Sequence, residues 1–212
     1  YNEKALNLYQ EARCLVGSSD DPFETALRIA VAGNIIDFGV HTNDSIQIRA
    51  TIEKALEAQF AIDHIRELKD RLCHASLVLY LADNAGEIVF DRLFVEQIGA
   101  GRVVCAVRHA PIINDATLDD AEQAGLCDVC RVISSGCTAP GTLIRECSDE
   151  FKTLFSSADI VISKGQGNFE TLNHTDRDIF FLFMVKCQVI SREVSVPVGG
   201  FVVMHSRRGL LS

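Results

Sequence analysis

The segment Asp83-Asn84-Ala85-Gly86-Glu87 sets two carboxylates and an amide directly after the apolar run Ser76-Leu77-Val78-Leu79-Tyr80-Leu81-Ala82. A run of that kind predicts a strand buried on both faces, as in parallel sheets. Ile88, Phe90, Leu93, Phe94 and Ile98 then recur at helical spacing. The polar residues therefore stand at the carboxyl end of a strand and beside a helix N-terminus, where open α/β sheets bind ligands. Backbone N–H groups at a helix start favour an anion, yet two acids repel phosphate unless a cation lies between them. A hard divalent metal reconciles the two, because it takes oxygen ligands from Asp and Asn and bridges to phosphate oxygens.

A second acid stands at the next strand end. After the apolar run at 102–107 come Arg108, His109 and Asn114-Asp115-Ala116-Thr117, ahead of a helix predicted from Leu118. Taken alone, Asp115 or Thr117 reads as an N-cap. The parallel with Asp83 argues for more, since the two acids are separated by one strand-helix-strand unit and neighbouring strands bring them together. Asp83, Asn84 and Asp115 are thus the candidate ligands of Mg²⁺ or Mn²⁺. Glu87 and Asp115 are candidates for orienting the attacking nucleophile, and attack by Asp83 itself is the minor alternative.

A third strand end carries Lys164-Gly165-Gln166-Gly167-Asn168. Its glycines permit close backbone approach, and a nest of N–H groups with Lys164 as point charge suits a phosphate. Arg108 is a further candidate for offsetting charge on the phosphoryl oxygens. Upstream, Gly33-Asn34-Ile35-Ile36-Asp37-Phe38-Gly39 places Asn34 and Asp37 on one helical face, either capping that helix or reaching into the crevice. His109 reads as a loop histidine without an assigned role. No nucleophile elbow, catalytic-triad order or Walker-type loop is present, so acyl transfer and nucleoside-triphosphate hydrolysis lack support.

Behind these residues the chain divides in two. Amphipathic patterns predict helices at 3–16, from Pro22 to about 37, at 46–60 and at 61–74, with no strand before residue 75. From residue 76, apolar runs at 76–82, 102–107, 130–134, 159–163, 179–185 and 200–205 alternate with helices at 86–99, 117–125 and 141–157. This pattern predicts an α/β fold with a mainly parallel, Rossmann-like sheet flanked by helices, the last two runs pairing differently. Residues 1–75 are expected to form an all-helical subdomain capping one end of the sheet, and 76–212 the α/β metal-binding domain.

Composition narrows the class of partner. The 212 residues are 48% hydrophobic and 23% charged, with a net charge of −9, which argues against nucleic-acid or anionic-membrane binding. No apolar stretch is long enough for a bilayer-spanning helix. Eight cysteines without a disulfide-like framework read as free thiols of a cytoplasmic protein. Cys127 and Cys130 have CxxC spacing but lack the second pair a zinc site needs. The chain begins at Tyr1 without methionine and is taken for an excerpt.

Four motifs in order resemble the damage-control phosphatase family, long catalogued as domain of unknown function 89, in its prokaryotic, archaeal-type branch. They are Gly33–Gly39, Asp83–Glu87, Asn114–Thr117 and Ser163–Glu170, and the likeness runs from about residue 22 to the C-terminus. The resemblance implies a metal-dependent phosphatase of small phosphorylated metabolites, including sugar phosphates, with Mn²⁺, Co²⁺ or Ni²⁺ preferred. It implies Asp83, Asn84 and Asp115 as metal ligands, and Lys164 with its glycine-rich loop as the phosphate cradle. The family's N-terminal helical region is usually longer, so part of a substrate lid is expected to be missing here. One branch of the family has been described as a carboxyl methyltransferase using S-adenosylmethionine, which is the alternative activity, and a non-catalytic phosphometabolite binder is the third. A single glycine and two acids in the first strand's turn suit a cation better than an adenosyl cofactor.

Overall fold

The computed structural model describes residues 1–34 and 45–206. Helices α1 (Asn2–Ser18), α2 (Pro22–Gly33) and α3 (Ser45–Glu57) come first, as the amphipathic spacing predicts. Asp21 caps α2 by accepting from the Glu24 N–H, with Pro22 at the first helical position, where its missing donor costs nothing. A short strand, β1 (Phe60–Asp63), then precedes α4 (Ile65–Leu72). This corrects the expectation of continuous helix at 61–74 and of no strand before residue 75. Four residues of alternating burial carry too little pattern of their own, and the ladder partner that makes them a strand lies far along the chain.

The alternating part unfolds as β2 (Val78–Leu81), α5 (Glu87–Ile98), β3 (Val103–Val107), α6 (Leu118–Gln123), β4 (Arg131–Ser134), α7 (Asp149–Ser157) and β5 (Ile160–Lys164). It continues through α8 (Gln166–Leu172), β6 (Ile179–Met184), α9 (Gln188–Val194) and β7 (Phe201–His205). The seven strands form one sheet in the order β1-β7-β6-β5-β2-β3-β4. β2 to β6 run parallel, and β7 turns back antiparallel to β6, so of the last two runs, both expected to pair differently, β7 does and β6 keeps the parallel sense. β1 pairs parallel with β7 at the sheet's edge. Two expectations need adjusting. The helix predicted at 141–157 begins only at Asp149, where the Ser148 hydroxyl accepts from the Phe151 N–H. Helices α8 and α9, each of seven residues, are too short for periodicity to reveal.

Both faces of the sheet are covered. On one face Phe90 and Phe94 of α5 lie in one cluster with Tyr80, Cys105 and Ile162. The N-terminal helices pack onto α5 from outside: the Phe23 and Phe94 rings meet edge-on at 5.2 Å, and Tyr9 Oη donates to Glu96 at 3.1 Å. They extend the layer on that face instead of capping an end of the sheet. On the opposite face Phe151, Phe169 and Ile190 pack on Leu79, Val161 and Phe181. Phe169 sits 5.1 Å from the Phe181 ring and 4.9 Å from that of Phe183, which anchors α8 directly behind the carboxyl end of β5. Removing a buried ring from such a site leaves a cavity as well as a transfer loss. Phe169→Ala is therefore expected to destabilise the protein by about 3–5 kcal/mol in a urea titration; a loss under about 1 kcal/mol would show that α8 is anchored elsewhere.

Candidate active site

The two acidic turns are joined through their backbones. Adjacent pairing of β2 and β3 brings their carboxyl ends side by side. Beyond the strands, the Ala85 N–H donates to the Asn114 carbonyl at 2.8 Å and the Ala116 N–H to the Asp83 carbonyl at 2.8 Å. Asn84 and Asp115 thereby form an isolated antiparallel bridge. Asp83, Asn84 and Asp115 converge as their positions at successive strand ends suggest. Asp115 is not the cap of α6: the Asp120 carboxylate accepts from both the N–H and the hydroxyl of Thr117, the residue that does cap it.

Asp83 is the electrostatic centre of this crevice. Its Oδ2 accepts from Asn34 Nδ2 at 2.7 Å and Asn84 Nδ2 at 2.9 Å. Burial, reinforced by the charges of Glu87 and Asp115, pushes its carboxyl up to about 7. Lys186 and Arg108 pull in the other direction without prevailing. Lys186 stands just past the end of β6, exposed, with its N–H donating to Gln166 Oε1 at 2.8 Å. The sequence reading passed over it, although it meets the same criterion as the others, a charged residue at a carboxyl strand end.

Beneath Asp83 lies a layer of buried charge. Glu87 Oε2 accepts from the side-chain amides of Asn34 at 2.9 Å and Asn84 at 3.0 Å. Its Oε1 meets Lys164 Nζ at 2.5 Å. The same ammonium donates to Asp91 Oδ1 at 2.6 Å and the Ala30 carbonyl at 3.0 Å, and Asp91 also accepts from Tyr80 Oη at 2.7 Å. Burial pushes Asp91 up to about 6 against the pull of Lys164. Burial lowers the proton affinity of Lys164, but Asp91 and Glu87 together raise it above the usual value. The side chain expected to reach a phosphate from the loop is instead turned inward and fully buried.

Arg108 and Asn168 form a second buried support. Arg108 Nε donates to Asp115 Oδ2 at 2.7 Å, Nη1 to Thr142 Oγ1 at 3.0 Å and Nη2 to Asn168 Oδ1 at 2.8 Å. Asn168 donates in turn to the carbonyls of Lys164 and Ala82. As placed, both residues brace the ends of β2, β3 and β5. Gly165 has φ +81, and a Cβ there would stand 1.9 Å from Asp83 Oδ2, so only glycine lets this backbone pass the carboxylate. Gly167 falls in the first turn of α8 and has no such contact. At Gly33 a Cβ would meet Glu87 Cγ at 3.2 Å; its absence lets α2 deliver Asn34 to the two acids. Asp37 lies outside the described residues. His109 is exposed, with Nδ1 3.1 Å from Ser134 Oγ.

Whether this pocket suits a divalent metal turns on its donors. Among the described residues no three His, Cys, Asp or Glu side chains are grouped to hold an ion. The set here is mixed, two carboxylates with an amide, which is the chemistry of a hard, oxygen-preferring cation. Asn84 donates to both acids through Nδ2, which leaves Oδ1 as the atom that could ligate an ion. Asn34 Oδ1 is buried and has no hydrogen-bond partner among the described residues. Carboxylates crowded enough to raise Asp83 to about 7, beside an orphaned amide oxygen, fit a cation. The cysteines are free, and burial raises both Cys127 and Cys130 above the ordinary thiol value, so neither is poised as a thiolate.

The model of the damage-control phosphatase ARMT1-like domain matches residues 1–202, and the chain belongs to that family. The match includes α1, so the likeness begins earlier than the residue-22 limit read from the motifs. A damage-control phosphatase of Pyrococcus horikoshii is 40% identical over 189 residues, 87% of this chain and 66% of that protein. One of Archaeoglobus fulgidus is 32% identical over 207 residues, 95% of this chain and 71% of the relative. The crystal structure of a DUF89 family protein from Pyrococcus horikoshii matches with a TM-score of 0.86 at 36% identity, over 97% of this chain and 74% of that one. The chain thus spans about two thirds to three quarters of these relatives' lengths. No helix among the described residues is long and apolar enough to cross a membrane.

The crowding of Asp83 has a thermodynamic signature. A carboxyl raised from 3.8 to about 7 on folding adds stability that is fully present below 3.8 and is lost as pH rises through about 7. In chelator, Asp83→Asn is expected to reduce that loss: its melting temperature falls less than the wild type's across the interval, where Asp91, raised to about 6, still titrates, and lies above it at the alkaline end. A variant melting below the wild type at every pH would refute the crowding.

Proposed function

We propose that this protein is a metal-dependent phosphomonoesterase acting on small phosphorylated metabolites. The observation that carries the reading is the backbone-joined pair of turns that sets Asp83, Asn84 and Asp115 around one crevice, with the Asn34 amide oxygen beside them unpartnered among the described residues. Relatives named damage-control phosphatase support the same reaction class. Asp83, Asn84 and Asp115 are the residues that hold Mn²⁺, Co²⁺, Ni²⁺ or Mg²⁺. When bound, such an ion acts as a Lewis acid on the phosphoryl group and lowers the pKa of a bound water.

The chain's own groups divide the remaining work. Glu87 has both oxygens engaged by Lys164, Asn34 and Asn84, so its role is to orient the two amides. Arg108 occupies Asp115 Oδ2 and leaves Oδ1 to orient the attacking water. Lys186 supplies the positive charge at the mouth of the crevice that faces the phosphoryl oxygens. Lys164 neutralises the layer below and does not reach the substrate.

The test is hydrolysis of a generic phosphomonoester. Asp83→Ala and Asp115→Ala are each expected to fall to background, and chelation is expected to abolish turnover reversibly on adding Mn²⁺. Arg108→Gln is expected to weaken metal affinity by about 10–100-fold, the usual cost of losing a partner of a ligating carboxylate. Turnover that survives chelation and both alanine substitutions would overturn the proposal. Heat from metal-independent binding of S-adenosylmethionine would favour the methyltransferase reading instead.

A further inference from the structure

We infer that Ile113 is a specificity-determining residue, whose side chain forms an apolar wall against the carbon portion of the phosphate monoester; this rests on the reading of the crevice as a phosphoester site. Ile113 lies in the loop between β3 and α6, two positions before Asp115. The Asp115 N–H donates to the Ile112 carbonyl at 2.9 Å, closing a turn with Ile113 and Asn114 at its centre. Ile113 has φ +51, and Asn114 is not in the positive region. A turn with positive φ only at its first central position takes glycine by default, because a Cβ is crowded there and a branched one most of all.

The fold gains no burial from accepting this residue. At 85% exposure, Ile113 is the most exposed large hydrophobic side chain among the described residues, ahead of Val189 at 72%. A lone exposed apolar residue is ordinary, and so is a strained glycine turn; a strained, branched and bare side chain is neither. The backbone around it is pinned by the site itself, through Ala85 N–H to Asn114 O and Ala116 N–H to Asp83 O, each 2.8 Å. The pairing that brings Asp115 to Asp83 is thus also what holds Ile113 in its unfavourable conformation, at the edge of the crevice. An apolar group so placed is rewarded only when apolar surface covers it. The acids and Lys186 attend to the phosphoryl end of an ester, so the surface that reaches this loop is the carbon skeleton next to the ester oxygen. The substrate class this selects is a monoester with a ring or branched C–H face beside the phosphate.

The readout is affinity for two non-hydrolysable probes, phenylphosphonate and methylphosphonate, measured by calorimetry with Mn²⁺ present, in the wild type and in Ile113→Gly and Ile113→Asn. Both substitutions suit positive φ, so both variants are expected to melt at or above the wild-type temperature. The wild type is expected to prefer the phenyl probe about tenfold, and both variants to lose that preference, as when one apolar contact is removed from a pocket. Equal loss of both affinities would overturn the inference, because it would mean that the loop merely positions Asp115. An unchanged preference would overturn it as well, and with a changed oligomeric state it would assign Ile113 to a contact between copies of the chain. If the wild type binds neither probe, the phosphoester reading falls and the inference with it; binding with an unaltered preference defeats the inference alone.

Discussion

A lysine ammonium enclosed with two carboxylates and shielded from solvent is the interaction on which the site depends. Lys164, Glu87 and Asp91 all have fully buried side chains. Taking each such charge out of water costs several kcal/mol, which close pairing recovers only when the remaining hydrogen-bonding capacity is met. Here Lys164 Nζ uses three donors on Glu87, Asp91 and the Ala30 carbonyl, and Glu87 uses both oxygens. Asp91 is the less satisfied partner, with Oδ2 unpartnered among the described residues and its carboxyl pushed up to about 6. Without the ammonium, two carboxylates would face each other in the apolar core between α5 and the sheet.

From that layer the charge balance worsens toward the crevice. Lys164 is spent below, and Arg108 is spent on Asp115, so among the described residues no buried lysine or arginine is left for Asp83. Its carboxyl rises to about 7 because burial and two neighbouring acids act on it together. The structure therefore concentrates unmet negative charge at one point, next to an Asn34 amide oxygen that has no partner among the described residues. Strain of this kind is typical of sites whose stability is traded for chemistry. The same trade shows in the backbone, where the pairing of the 83–85 and 114–116 segments holds a branched residue at positive φ.

Two asparagines from the N-terminal helices complete the arrangement. Asn34, at the end of α2, supplies donors to Asp83 and Glu87. Asn2, at the start of α1, accepts from the Gly86 N–H at 2.7 Å while donating to Asp120 and Gln123. The turn between β2 and α5 is thus clamped on both sides by residues distant in sequence.

Much of this was legible before folding. Continuous apolar runs identify β2, β3, β5 and β6, because strands buried on both faces need no polar alternation, and the carboxyl-end rule then singles out Asp83, Asn84 and Asp115. The inward turn of Lys164 was legible too, in a weaker sense. Ile160, Ile162 and Lys164 share one side of β5 by the twofold alternation of a strand, and that side faces α5. Its lysine looks loop-bound only when that register is ignored. Other features depend wholly on distant partners. β1 is a strand because β7 offers it a ladder, α8 is a helix because Phe169 finds Phe181 and Phe183, and Arg108 braces Asp115 because Thr142 and Asn168 hold its other nitrogens. Local pattern determines which groups stand at the sheet's edge. Which of them stay at the surface and which turn inward is decided by the tertiary structure, because a buried charge is tolerated only where its counter-charges come from elsewhere in the chain.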